Sequence, residues 1–206
     1  ALRVSRTLDL AALARLFVHL GGLRDPDEIA GLAAVSLSKV LPIDMSQVVV
    51  WNEHDAPVEL VSWRSDDGER RPLSEIELAA ARALVDPNVV CQLLDIDAMP
   101  GARRRLGALV WLPLRTRGTE LGAIVAAVRP DEGVEPEQLD TAAVLAAHVA
   151  ASLDTAAALQ LERRSAVTDS LTGILNRRGL EKELERELAV EQEMRKPLSV
   201  LVIDCD

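Results

Sequence analysis

Asp204, Cys205 and Asp206 follow directly on the apolar run at residues 198–203, LSVLVI. A continuous apolar run of this kind reads as a strand buried on both faces. A carboxylate at the carboxyl end of such a strand stands where open α/β sheets collect their ligands. Carboxylate and carbonyl oxygens are hard donors and suit Mg²⁺. The chemistry open to them is the binding of a hard divalent cation. A carboxylate ending a strand is also an ordinary turn or cap residue, so the preceding elements have to decide.

Just upstream, residues 169–178 read DSLTGILNRR. Thr172-Gly173 is expected to break a long helix, and Asn176 to cap a following one that runs to about Met194. In that helix Leu180, Leu184 and Leu188 share one face at four-residue steps. Lys196-Pro197 closes it. Asp169, Leu171, Thr172, Gly173, Asn176, Arg177 and Arg178 read as turn-shaping residues, with an Asp169–Arg salt bridge as one means.

The elements before this stretch change period along the chain. Residues 8–20 carry Leu13, Leu16, Phe17 and Leu20 at helical spacing and stop at Gly21-Gly22. Asp25-Pro26 opens a second helix as cap and first residue. Residues 47–51 and 58–63 are β-branched and joined by turn chemistry, a hairpin signal. Ser74 and Glu77 form a capping box for a helix over residues 74–85. Strands are expected at residues 89–93, 108–114 and 121–128, the last two joined as a tight hairpin by TRGTE. Pro113 suits an edge or bulge better than a central strand.

From about Glu135 a long helix begins, with no Gly or Pro before Gly173. Leu139, Ala142, Ala146, Val149, Leu153 and Ala156, then Gln160, Arg163 and Val167, follow alternating steps of three and four, a heptad seam. A helix lying on its own sheet shows the same stripe. The length of this one favours pairing between two copies.

Composition removes several functions. The 206 residues suit one or two domains, and 49% are hydrophobic, enough for a core. A net charge of −10 disfavours nucleic acid and anionic membranes as partners. Aromatic residues are only 2%, too few for base-stacking platforms. Cys91 and Cys205 lie far apart without metal spacing, which fits a reducing, cytoplasmic setting. No uninterrupted apolar run is long enough to span a membrane, and no signal peptide is visible. His19, His54 and His148 make no metal spacing, and His148 reads as a solvated flank. Arg103, Arg104 and Arg105 read as a solvated loop or an anion contact.

The order helix–helix–hairpin–helix–strand–hairpin–long helix describes an α+β fold, an antiparallel sheet with packed helices. Together with VWLPLRTRGTELGAIVAAV it resembles a GAF domain, a small-molecule sensor. DSLTGILNRR resembles the opening of GGDEF domains, the catalytic domains of diguanylate cyclases, with Ile174 a conservative departure. The resemblance implies a GAF-like domain at residues 1–134, a coiled-coil signalling helix at 135–168, and an incomplete α/β GGDEF fragment at 169–206.

It further implies a parent that converts two GTP to cyclic di-GMP and pyrophosphate. Mg²⁺ would be held by Asp204 and the Cys205 carbonyl. The Gly-Gly-(Asp/Glu)-Glu-Phe hairpin is absent, so the chain reads as the N-terminal portion of a longer protein, without catalytic residues or activity of its own. The product's two-fold symmetry implies a homodimer through the long helix. In the resembling sensor fold Trp51, Trp63, Cys91, Leu93, Met99 and Trp111 are pocket candidates for an unknown small-molecule signal. Gln92 follows Cys91 where many bilin-linked members have His, and the cyclic-nucleotide pattern of another subgroup is missing. The alternative reading is a non-catalytic ligand-binding or dimerisation module beside a degenerate GGDEF domain. A phosphodiesterase domain further on is a third outcome.

Overall fold

Local capping decides where the first helices start. In the computed structural model, which describes residues 10–66, 71–95, 108–129, 132–169, 171–194 and 197–203, α1 spans Leu10–Gly22. Helix α2 spans Pro26–Val40, with the Asp25 carboxylate accepting from the Asp27 amide at 2.8 Å. Helix α3 spans Glu75–Ala83 and carries the complete Ser74–Glu77 capping box. It ends slightly before the expected residue 85, because the Leu84 and Val85 amides turn back to Ala81 and Arg82.

The strands are β1 (Ile43–Trp51), β2 (Pro57–Arg64), β3 (Gln92–Asp95), β4 (Ala108–Thr116) and β5 (Thr119–Val128). They form one antiparallel sheet in the order β2-β1-β5-β4-β3. The β4–β5 hairpin turns at Arg117 and Gly118, both at positive φ (49° and 82°), the backbone that matches the twist of paired strands. Strand β3 begins later than the expected residue 89. Residues 86–89 are a turn instead, with the Val89 amide bonded to the Asp86 carbonyl and the Asp86 carboxylate accepting from Asn88.

Alternation along the strands sorts side chains to two faces. Val48, Val110, Leu112, Ile124 and Ala126 pack with α1, α2 and α4. Met45, Val49, Leu109, Trp111, Ala123 and Val125 pack with α3 through Leu78 and Ala81.

Helix α4 spans Pro136–Val167, 32 residues and about 48 Å. Its expected seam is largely inside the core of this chain. Ala142, Ala146, Val149, Leu153 and Ala156 are buried there beside Leu145 and Ala150, and Leu139 packs against the cluster. Burying each of the larger side chains contributes about 1.5–3 kcal/mol. Over Pro136–Glu162 the helix is also long and apolar enough to cross a bilayer by length and composition, with mean hydropathy 1.5. Asp140 and Asp154 interrupt the run, which is why no unbroken span shows in the letters. The burial of Leu145, Val149 and Leu153 is that of a core helix.

The chain divides into two compact units, Ala1–Ala157 and Ala158–Asp206. In the second unit, helix α5 spans Arg177–Met194. The expected strand at 198–203 does not form. Residues 197–203 have no strand assignment, and Leu201 and Val202 are more than four-fifths exposed. The physical reason is the lack of a neighbour. A strand exists by its ladder partners, and the five-stranded sheet does not include this run. Leu180, Leu184 and Leu188 are exposed to a lesser degree, at 58%, 37% and 43%.

Candidate functional site

The turn after α4 is built from short-range polar bonds. The long helix ends at Val167, before the expected break at Thr172-Gly173. Thr168 pairs with Leu175 as an isolated antiparallel bridge, closed by Asp169 N–H to the Ile174 carbonyl at 2.8 Å and Asn176 N–H to the Val167 carbonyl at 2.9 Å. Within this small loop the Asp169 carboxylate accepts from the Thr172 hydroxyl at 2.8 Å, the Thr172 amide at 2.9 Å and the Leu171 amide at 3.2 Å. Those bonds, the hydroxyl first, hold its pKa below the usual carboxylate range. Gly173 sits at φ +70°, a left-handed conformation that glycine adopts without steric cost.

Asn176 serves two helices. Its Nδ2 donates to the Ala166 and Thr168 carbonyls at 3.2 Å each, at the end of α4. Its Oδ1 accepts from the Gly179 amide at 2.9 Å, at the start of α5. Gly179 is required by proximity, since a Cβ there would stand 2.0 Å from the Val167 carbonyl oxygen. The arginine expected against Asp169 is elsewhere: Arg177 pairs with Glu181 at 3.0 Å, in solvent. Arg178 and Leu171 are exposed. Asp169 has its hydrogen-bonding needs met by the loop, which leaves no call for a guanidinium.

The five described pocket candidates divide between the two faces of the sheet. Trp111 is fully buried on the α3 face and stacks with Trp51, ring centroids 6.4 Å apart. Trp63 and Cys91 pack against the other core cluster. Leu93 is 48% exposed. Strand alternation explains the split on β3: Leu94 points into the α3 face, so its neighbour Leu93 points away. Met99 lies outside the described residues. Burial, with the charge of Asp140 second, pushes the Cys91 thiol up to about 11.

The α3 face is closed by polar links that composition and spacing did not reveal. Glu120 accepts from Trp51 Nε1 at 3.0 Å, from Arg82 at 3.2 Å and from Arg115 at 2.9 Å. Arg82 also lies over the Trp51 ring at 4.1 Å and bonds Asp55. Gln47, buried in the middle of β1, holds the Leu73 backbone through both ends of its amide. The signal in the letters was a polar residue on the inward parity of an apolar strand. The indole Nε1 of Trp111 is buried without a hydrogen-bond partner. His148, read as a solvated flank, is exposed but lies parallel to Phe17 of α1 with ring centroids 3.7 Å apart.

Asp204 and Cys205 lie outside the described residues, as do Arg103, Arg104 and Arg105. Among the described residues no group of three or more His, Cys, Asp or Glu could hold a metal ion.

Comparison with known proteins agrees with the two-part reading. Residues 166–206 match the family model described as "Diguanylate cyclase, GGDEF domain". No curated protein matches the chain. Among solved structures, the bacteriophytochrome RpBphP3 of the photosynthetic bacterium R. palustris superposes with TM-score 0.61 at 12% identity, over 79% of this chain and 41% of that one. A GAF domain/HD domain protein from Geobacter sulfurreducens gives 0.53 at 16%, over 68% and 98%. The GAF domain of cyanobacteriochrome TePixJ gives 0.51 at 15%, over 67% and 94%. At such identities the likeness is one of fold. The chain therefore carries a GAF-like α+β fold, followed by a segment that matches the opening part of the GGDEF family.

Proposed function

We propose that this chain is the regulatory portion of a diguanylate cyclase. The GAF-like unit senses a small-molecule signal, α4 carries its state onward, and residues 169–206 open the catalytic domain of a longer parent. The observation that carries this reading is the turn of residues 166–179. The segment matched by the cyclase family model starts there, and its Asp169, Gly173, Asn176 and Gly179 all have a geometric task. We assign residues 1–134 to the sensor, 135–168 to the signalling helix and 169–206 to the catalytic fragment, in a cytoplasmic protein.

In the parent, Asp204 and the Cys205 carbonyl offer oxygen donors of the class Mg²⁺ takes. Bound there, the metal would neutralise charge on GTP phosphates. Two catalytic domains must meet to make a two-fold symmetric product, so the parent works as a homodimer through α4. Because the seam from Ala142 to Ala156 is buried within one copy, pairing would use the outward side of the helix. Val144, Ala147, Ala151, Ala158 and Leu161 are exposed there.

The test is GTP turnover by the full-length parent with Mg²⁺. Formation of cyclic di-GMP that disappears in Asp204→Ala supports the reading. An inactive parent whose sensor unit still binds ligand would move it to a non-catalytic module. For the dimer, Ala151→Glu should yield monomers in sedimentation without loss of helix content, whereas a persistent dimer would place pairing elsewhere.

A further inference from the structure

We propose that α3 is a movable cover on its face of the sheet, pinned at its two flanks by Gln47 and Gln92 and held down by a releasable ionic catch, Arg82 on Glu120. The helix has little apolar grip. Of its nine residues only Leu78 and Ala81 are buried, and Ile76 stands in solvent. Apolar attraction scales with the area removed from water, so polar links decide how firmly this short helix stays down.

Those links are of two kinds. At each flank a glutamine side chain holds backbone. Gln47 of β1 binds both Leu73 groups from a buried position. Gln92 of β3 accepts from the Asp86 amide at 2.8 Å and donates to the Leu84 carbonyl at 3.3 Å. Between these pins, Arg82 is the only polar side chain of α3 bonded to the sheet or its turns among the described residues. Its Nε donates to Glu120 of β5 at 3.2 Å and its Nη1 to Asp55 at 2.9 Å, and its guanidinium lies 4.1 Å from the Trp51 ring centre.

Three features make Arg82 the part that lets go. Its charge and those of Glu120 and Asp55 reach solvent, where ion pairs are weak and screened by salt. Release strands no buried charge, the usual obstacle to breaking such a pair, because Glu120 keeps Arg115 at 2.9 Å and Trp51 Nε1 at 3.0 Å. The closed state also carries an unmet polar group. The Trp111 indole N–H, fully buried in the same cluster as Leu78 and Ala81, has no acceptor. A buried donor without a partner disfavours the state that buries it. Opening admits water, or the acceptor atom of a small molecule, to that N–H. The use of the motion rests on the reading of this unit as a sensor, whereas the motion itself does not.

Two measurements on the 206-residue protein test the catch. Trp63→Phe leaves Trp51 and Trp111 as the only indoles, and acrylamide quenching then reports their access to solvent. Quenching should rise as salt is raised to about 1 M, where screening acts within about 3 Å. Adding Arg82→Gln should raise quenching at low salt and abolish the salt response, whereas Arg71→Gln, which removes the other ion pair of α3, should keep that response. Hydrogen exchange of the Arg82→Gln protein should be about tenfold faster at the α3 amides, the combined measure of its ion pairs and cation–π contact. Val48 of β1 and Ile124 of β5 should exchange as before, which separates an opening of α3 from a general loss of stability. Unchanged quenching in Arg82→Gln, or loss of the salt response in Arg71→Gln, would overturn the proposal. So would equal acceleration at Val48 and Ile124. Neither measurement involves GTP, so these failures would leave the cyclase reading standing.

Discussion

Gln47 and Leu73 are joined as if they were paired strand residues, although only one of them contributes its backbone. The Gln47 Oε1 accepts from the Leu73 amide at 2.9 Å, and its Nε2 donates to the Leu73 carbonyl at 3.1 Å. The same Nε2 donates to the Glu59 carboxylate of β2. One buried amide thus ties the segment before α3 to the middle of the sheet. Gln47→Leu keeps similar bulk but strands both Leu73 groups. Leaving a buried backbone group unpaired costs about 1–3 kcal/mol, so urea unfolding should show a loss of about 2–4 kcal/mol with an unchanged denaturant slope.

Acid should loosen the α3 end of this tie. Burial raises the pKa of Glu77, but the bonds from Arg71 and from the Ser74 amide and hydroxyl outweigh it and bring the value to about 2, from 4.5 when unfolded. Because the folded value lies below the unfolded one, the stabilisation is fully present above pH 4.5 and is lost as pH falls towards 2. Thermal melts between those limits should fall less steeply in Glu77→Gln than in the unmodified protein.

Close approach makes Gly122 irreplaceable. A Cβ there would lie 2.0 Å from the Val49 carbonyl oxygen and 2.7 Å from Val50 Cα, both backbone atoms that cannot swing aside. Gly122→Ala should part β1 from β5 and cost about 3 kcal/mol or more, the class of overpacking at a strained position. Gly133→Ala, with open space around its Cα, should leave the melting temperature within about 2 °C, as surface changes do. Differential scanning calorimetry of the two variants checks the contrast.

Asn176→Ala removes a cap from two helices at once. Capping losses run about 0.5–2 kcal/mol. Amide exchange at Gly179 should speed up while Leu37, in the core of α2, exchanges as before. Asn176→Asp keeps the acceptor for Gly179 and deletes the donors to Ala166 and Thr168. It should therefore restore protection at Gly179 alone.

Cys91 should be a slow thiol. With its pKa raised to about 11 by burial, about one molecule in a thousand carries the thiolate at pH 8. In a Cys205→Ser background, Ellman's reagent should label Cys91 far more slowly than it labels glutathione. Labelling at the same rate would mean that the site opens readily.

Much of the architecture was legible because local chemistry wrote it. Asp25-Pro26, Ser74–Glu77 and Asn176 act over three or four residues, and each caps the helix it was read to cap. The hairpin read at residues 108–128 likewise forms, as β4 and β5. What failed depended on distant partners. The run at 198–203 has the letters of a core strand and no ladder. The stripe on α4 looks the same whether it meets a second copy or the chain's own sheet, and the packing of Val149 and Leu153 resolves it for one copy. The pocket candidates were chosen by residue type, which carries no face. The single-residue phase of β3 then sends Leu93 and Leu94 to opposite sides.

Strand β3 pairs with β4 only over Ala108–Trp111, and Pro113 follows just beyond, still paired with Ala123 of β5 on the other side. Among the described residues no strand pairs with β4 on that flank beyond Trp111, although Leu112, Pro113 and Leu114 are buried. A proline there carries no N–H to offer an incoming chain, and Arg115 already donates to the Val89 carbonyl alongside. The residue that looked at first like a flaw in the strand thus stands, buried, just past the end of the β3–β4 ladder, where no strand asks β4 for another N–H.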